Sequence, residues 1–259
     1  MLRLHKAKVP KSRAVRPETV PAHVVIIGLG PSAESYMDCV KRIGNRRRFA
    51  DEVWAINALG DVLQCDRIFH LDDLRVQEIR AKARPDSNIA YMIEWMRKHP
   101  GPIYTSRLHP DYPGLVEFPL EDVINSCGIA YFNNTAAYAV AYAVHIGVKQ
   151  ITMFGCDYTY FNSHDAEKGR ACTEFHLGNA KARGILIGLP ANTSLMDSLS
   201  VEQDRMYGYD TLDLKLTGGG DKPVRVAFTP REKLPTADEI EARYDHSQPT
   251  VPRHLIEKN

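Results

Sequence analysis

Apolar and polar positions along the chain fall into two alternating rhythms. "HVVIIG" (residues 23–28) is short, apolar, β-branched and closed by glycine, which predicts a strand buried on both faces. "DEVWAIN" (51–57), "DRIFHLDD" (66–73), "GPIYTS" (101–106), "KQITMFGCD" (149–157) and "ILIGLP" (185–190) repeat that rhythm. Longer stretches separate them. "SAESYMDCVKRIGN" (32–45) predicts a helix with Ser32 as N-cap and Gly44-Asn45 as its stop. "SNIAYMIEWMRKHPG" (87–101) predicts another, capped by Asp86 or Ser87 and ended by Pro100-Gly101. "NTAAYAVAYAVHIGV" (134–148) is alanine-rich and apolar on most of its surface, as suits a helix between a sheet and shielding neighbours. "TEFHLGNAKARG" (173–184) completes the set. Strands alternating with helices predict an α/β fold: a modified Rossmann-like, doubly wound, mostly parallel sheet.

The two ends read differently. Residues 1–22 hold three prolines and predict a basic extended arm. From about residue 205, "LTGGGDKP", "TPREKLP" and "SQPTVPR" are turn-rich, and only "TADEIEARY" suggests a helix, because Thr236 and Glu239 have capping-box spacing. The expected organisation is therefore an arm (1–22), one nucleotide-binding domain (23–204) and a C-terminal extension (205–259). That extension is expected to pack on the domain or serve a homo-oligomer.

Bulk composition adds limits more than direction. The 259 residues are 44% hydrophobic and 25% charged, ordinary for a globular chain. A formal net charge of +1 gives no global field for a polyanion. Charge is uneven, however: Arg3, Lys6, Lys8, Lys11, Arg13 and Arg16 precede any acid, and Lys41 and Arg42 back the Arg46-Arg47-Arg48 cluster. A polyanionic acceptor such as DNA is one reading of the arm; a solvated terminus is the other. The five cysteines are scattered with no CxxC pair, which fits free thiols in a reducing compartment and argues against a zinc site. No apolar h-region follows the basic N-terminus, and no run reaches about 18 apolar residues. The expectation is a cytoplasmic protein without a membrane span.

In an open parallel sheet, ligands bind beyond the carboxyl ends of the strands. Each strand is therefore read by the residues it delivers at that end. The first delivers Gly28, Gly30, Pro31 and Ser32, a loop whose backbone N–H groups and helix start suit a phosphate. The second delivers Asn57 and the third Asp72 and Asp73, which suit Mg²⁺ held through phosphate oxygens. Asn57 lacks the charge that a dinucleotide site wants at that position, and Pro31 removes a loop N–H, so an NAD enzyme is disfavoured. Asn133, Asn134 and Thr135 exceed what one helix cap needs. "FGCDYTYFNSHDAEKGR" is the richest stretch: Asp157 joins the nucleotide-binding set, Tyr158, Tyr160 and Arg170 are candidate leaving-group stabilisers, and His164 is a candidate general base. The opposing reading of His164 is an exposed residue of a solvated loop.

"VVIIGLGPSA", "EVWAIN", "DRIFHLDD", "NNTAAYAVAYAVHIGVKQITMFGCDYTY" and "ILIGLPANTSLMD" occur in the order of the motifs of one superfamily. Over roughly residues 23–197 the chain resembles the group containing the CMP-sialic-acid-dependent sialyltransferases of glycosyltransferase family 42. That group also includes flagellin-modifying motility accessory factors and the MptE-like 6-hydroxymethylpterin diphosphokinases. The resemblance implies a nucleotide or nucleotide-sugar at the GxGPS loop, with Asn57, Asn134 and Thr135 as nucleotide contacts. It implies Tyr158, with Tyr160 as a second, at the leaving phosphate. Two departures stand out. Leu29 replaces an asparagine, and Arg170, in "GRACTE", stands where the sialyltransferases carry a catalytic histidine, so that either His164 or His176 substitutes or the acceptor chemistry is different. "HLDD" and the histidine after the G-x-D turn are closer to the other two branches. The first expectation is a nucleotide-sugar-dependent glycosyltransferase. The alternatives are an ATP- and Mg²⁺-dependent diphosphokinase and a nucleotide-binding module without catalysis.

Overall fold

The structure, a computed structural model, describes residues 19–159, 162–199, 206, 208–209, 211–219 and 222–242. The chain divides into two compact units, residues 1–199 and 200–259. The first unit is built on seven strands: β1 (His23–Ile27), β2 (Glu52–Ile56), β3 (Arg67–Phe69), β4 (Ile103–Thr105), β5 (Leu115–Glu117), β6 (Gln150–Phe154) and β7 (Leu186–Gly188). Every pairing is parallel, in the order β5-β4-β3-β2-β1-β6-β7. The inner strands are buried almost throughout, as a parallel sheet covered on both faces requires.

Helices supply those covers. On one face, α1 (Ala33–Ile43), α3 (Leu59–Val62), α4 (Leu74–Ala83) and α5 (Asn88–Lys98) add Tyr36, Leu59, Leu74 and Ile93 to the core around Val25, Val53 and Ile68. On the other face, α6 (Leu120–Cys127), α7 (Thr135–Ile146) and α8 (Ser163–Ala182) add Val123, Val140 and Leu177 around Val24, Trp54 and Phe69. The short α2 (Arg46–Phe49) comes after α1. The expected doubly wound sheet is thus present. Its direction reverses between β1 and β6: successive strands step outward from β1 on one side, and β6 and β7 lie on the other.

Ala22 and His23 donate their backbone N–H groups to Asp51, which ties the start of β1 to β2. The arm expected at residues 1–22 lies outside the described residues up to position 18. The Arg46–Arg48 cluster is partly neutralised: Arg46 and Arg47 both pair with Asp66, at 2.7 and 2.5 Å. Among the described residues, no helix is long and apolar enough to cross a membrane.

The extension holds more structure than its turn-rich composition suggests. β8 (Leu212–Gly219) and β9 (Lys222–Pro230) form an antiparallel hairpin, followed by α9 (Ala237–Glu241) with its Thr236–Glu239 capping box. The cue is alternation: Leu212, Leu214 and Leu216 face Pro230, Phe228 and Val226 across the pair.

Candidate functional site

A cleft of about 580 Å³ opens at the carboxyl edge of the sheet, where the strand order reverses. Its walls come from the loop after β1 (Gly28–Pro31), the ends of β2 and β3 (Asn57, Asp72), the start of α7 (Asn133–Ala136) and the loop after β6 (Gly155–Thr159). Reversal sends α1 and α8 to opposite faces of the sheet, and a crevice at the strand ends beside their loops is the topological result.

The glycine loop is closed by the protein itself. The Asp157 carboxylate, 3% exposed, accepts the Ser32 backbone N–H at 2.7 Å and the Ser32 hydroxyl at 2.6 Å. The Ser32 Oγ in turn accepts the Gly155 N–H at 2.7 Å. Asp157 is therefore an internal anion at the start of α1, where a bound phosphate was expected. Gly28 N–H donates to Phe154, Gly30 N–H to Gly155, and Ala33 N–H to Gly30. Pro31 has no N–H, and Leu29 carries the loop N–H that has no partner among the described residues. A β-carbon on Gly30 would meet the Asp157 carboxylate at 2.6 Å, and one on Gly28 the Gly155 carbonyl oxygen at 2.4 Å. Both glycines let the β1 loop lie on the β6 loop. Ser32 precedes α1 without making a side-chain cap, because its hydroxyl is held by Asp157.

The start of α7 is more open. Asn134 is its N-cap, accepting the Ala137 N–H at 3.0 Å and donating to the Gly169 carbonyl. Asn133 donates to the Lys168 carbonyl. The Thr135 hydroxyl and the N–H groups of Thr135 and Ala136 have no protein partner among the described residues and line the cleft. Tyr158, at φ 51°, also lines it. Its hydroxyl meets Asn134 Oδ1 at 3.1 Å and Thr173 Oγ1 at 2.5 Å, and its ring lies over Gly169. The expected leaving-group tyrosine is thus tied into the seam between α7 and α8.

Asn57 and Asp72 face the cleft from the far side. Asn57 sits at φ 53°, a left-handed conformation that asparagine tolerates better than most residues. Asp72 has a half-exposed carboxylate, whereas Asp73 is the N-cap of α4, accepting the Arg75 N–H at 2.9 Å. Of the two expected Mg²⁺ ligands, Asp72 is the one placed to reach a metal in the cleft. Cys156 also lines the wall, but burial pushes its thiol up to about 12, which keeps it protonated.

The second half of the richest stretch is helical, not the solvated loop of the opposing reading. Asn162 caps α8 by accepting the Asp165 N–H, so the segment from Ser163 is helical and continuous with the "TEFHLGNAKA" helix. His164 is exposed on its first turn and lines neither the main cleft nor the second opening beside Arg170. Arg170 pairs with Glu174 at 2.8 Å and Asp197 at 2.6 Å, clamping the 194–199 segment to α8. It lines a second opening of about 440 Å³ that shares Asp157, Tyr158 and Thr159 with the first. His176 is a core residue, stacked on Phe132 and bonded through Nε2 to the Tyr131 carbonyl at 2.8 Å. Tyr160 lies outside the described residues. Among the described residues, no histidine, lysine or arginine lines the main cleft.

Away from the cleft lining, Glu78, His109 and Asp111 bring ligand-type atoms within 4.8 Å of one another. Glu78 is already held by Arg97 at 2.6 Å and by the Tyr112 hydroxyl at 3.0 Å, so the group reads as an ion-pair network. The chain matches no family model and no curated protein sequence, so the function has to be argued from the site.

Proposed function

We propose that the chain is a nucleotide-dependent transferase. The first reading is a glycosyltransferase-like enzyme that takes a nucleotide-sugar donor in the cleft at the strand reversal. The position of that cleft carries the reading. It gathers loops from both halves of a doubly wound sheet, the siting expected for a nucleotide in this architecture. The phosphate seat in this reading is the first turn of α7 together with Leu29. Thr135 and Ala136 offer main-chain donors and a hydroxyl there, while the glycine loop is already occupied by Asp157. The departing nucleotide would be stabilised by those donors, and the second opening, joined through Tyr158, would take the acceptor. The resemblance to the family 42 sialyltransferase superfamily agrees with this assignment at Asn57, Asn134, Thr135 and Tyr158.

One observation favours the ATP-dependent diphosphokinase as the second reading. Asp72 is half-exposed on a cleft whose described lining has no cationic side chain, so a polyphosphate would need a cation there. Mg²⁺ would be held by Asp72 and would neutralise the phosphate oxygens. A thermal-shift panel of CMP, UDP, GDP, ATP and NAD, each with and without Mg²⁺, separates the readings. Metal-independent stabilisation by CMP, UDP or GDP supports the glycosyltransferase. Stabilisation by ATP only with Mg²⁺ supports the diphosphokinase. No shift with any nucleotide removes both.

A further inference from the structure

Asn57, His70 and Thr105 form a polar row across three adjacent strands. The register pairs Ile56 with Phe69 and Phe69 with Tyr104, so the three succeeding residues stand side by side at the sheet's carboxyl edge. Main-chain bonds continue the ladder, from Asn57 N–H to Phe69 and from His70 N–H to Tyr104. Alternation sends the His70 and Thr105 side chains to the face of Ile68 and Ile103. The row begins at the cleft, which Asn57 lines, and ends in the interior, where His70 is 1% and Thr105 0% exposed.

One contact orients the row. His70 Nδ1 lies 3.1 Å from Asn57 Oδ1. An amide oxygen only accepts, so Nδ1 carries the proton and Nε2 is left as an acceptor. Nε2 and the Thr105 hydroxyl are both buried without a partner among the described residues, and they belong to neighbours in the row. The other tautomer would set a lone pair against the amide oxygen and bury an N–H without an acceptor, the costlier arrangement. With Oδ1 held by His70, the NH2 group is the end of Asn57 left for the cleft.

We propose that His70 is a positioning residue of this cleft: it locks the Asn57 amide with its NH2 group toward the ligand. The cleft then reads a hydrogen-bond acceptor at that point, such as a base carbonyl, a ring nitrogen or a phosphate oxygen. The ligand class rests on the nucleotide reading; the lock does not. Two measurements on the full chain test it. Long-range ¹H–¹⁵N spectra of the ligand-free protein should give His70 as the Nδ1–H tautomer, and an Nε2–H tautomer overturns the lock. In titrations with CMP, UDP, GDP and ATP, His70→Phe should weaken the tightest of them about tenfold, the size of one lost ligand hydrogen bond. His70→Gln, whose amide N–H can replace Nδ1–H, should restore most of that loss. Adding His70→Phe to Asn57→Ala should cost nothing further. An equal His70→Phe loss with and without Asn57 overturns the proposal. If none of the four nucleotides binds the wild-type chain, the nucleotide reading fails and the tautomer alone decides the lock.

Discussion

Replacing Ser32 by alanine tests the internal closure of the β1 loop. The hydroxyl makes two buried bonds, donating to the Asp157 carboxylate at 2.6 Å and accepting the Gly155 N–H at 2.7 Å. A hydrogen bond to a charged group contributes about 1.5–3 kcal/mol, and a buried donor left without its acceptor costs about 1–3 kcal/mol. The substitution should therefore destabilise the first unit by about 3–5 kcal/mol. For a unit of this size each kcal/mol moves the midpoint by about 2–4 °C, giving a fall of roughly 6–20 °C. Scanning calorimetry of wild type and Ser32→Ala reads it directly, and a urea titration gives the same difference at 25 °C. If Ser32 instead served a bound phosphate, the free protein would barely notice its loss. A midpoint within about 1 °C of wild type, with tenfold weaker nucleotide binding, would refute the closure.

Gly169→Ala should unseat Tyr158, because the new methyl would meet its Cε1 at 2.5 Å; a loss of about 1–3 kcal/mol by urea titration is expected, with an altered tyrosine near-ultraviolet dichroism. Asp72→Asn should remove the Mg²⁺-dependent part of any ATP binding measured by calorimetry. Asp73→Ala should cost about 1 kcal/mol of stability, the size of a lost cap, and leave that binding intact. Burial holds His23, His70 and His176 below the ordinary histidine value of 6.5. The unfolded chain then takes up protons that the folded chain refuses. Stability is full above about pH 6.5 and falls below it by up to about 1.4 kcal/mol per pH unit for each such group. His176→Phe should flatten the slope between about pH 6.5 and pH 5.5 in pH-stepped urea titrations; an unchanged slope would mean that His176 takes its proton in the folded state as readily as in the unfolded one.

The parallel sheet was legible because buried strands carry a local signal: "HVVIIG", "EVWAI" and "KQITMF" are apolar regardless of their neighbours. The cleft was legible in outline for the same reason, since its position is set by the strand ends. The fates of individual polar residues were not. Asp157 and Ser32 lie 125 positions apart in the chain, and nothing in either local sequence says that they bond to each other instead of to a ligand. The stretch around His164 looked like a loop because its charge hides the helix, whose polar residues ring an exposed first turn below the Asn162 cap. His70 carries no signal of its own inside "HLDD", where the two aspartates are the more evident ligand groups. The cue is its register opposite Asn57, which requires the strands to be aligned first. The C-terminal hairpin was missed for a different reason: turn residues outnumber the alternating leucines and valines that build it.

The carboxylate of Asp157 also bears on how quickly the cleft responds to a ligand. Where a loop and a helix start are held together only by an arriving phosphate, the empty protein samples many loop shapes and each encounter must wait for a competent one. Here the counter-charge is covalently part of the chain and already in place. The loop is therefore ordered before any ligand arrives, and its ordering entropy is lost during folding, not at an encounter. Association at such a site should be a single fast phase with rates linear in ligand concentration, and little of the measured heat-capacity change should come from the protein itself.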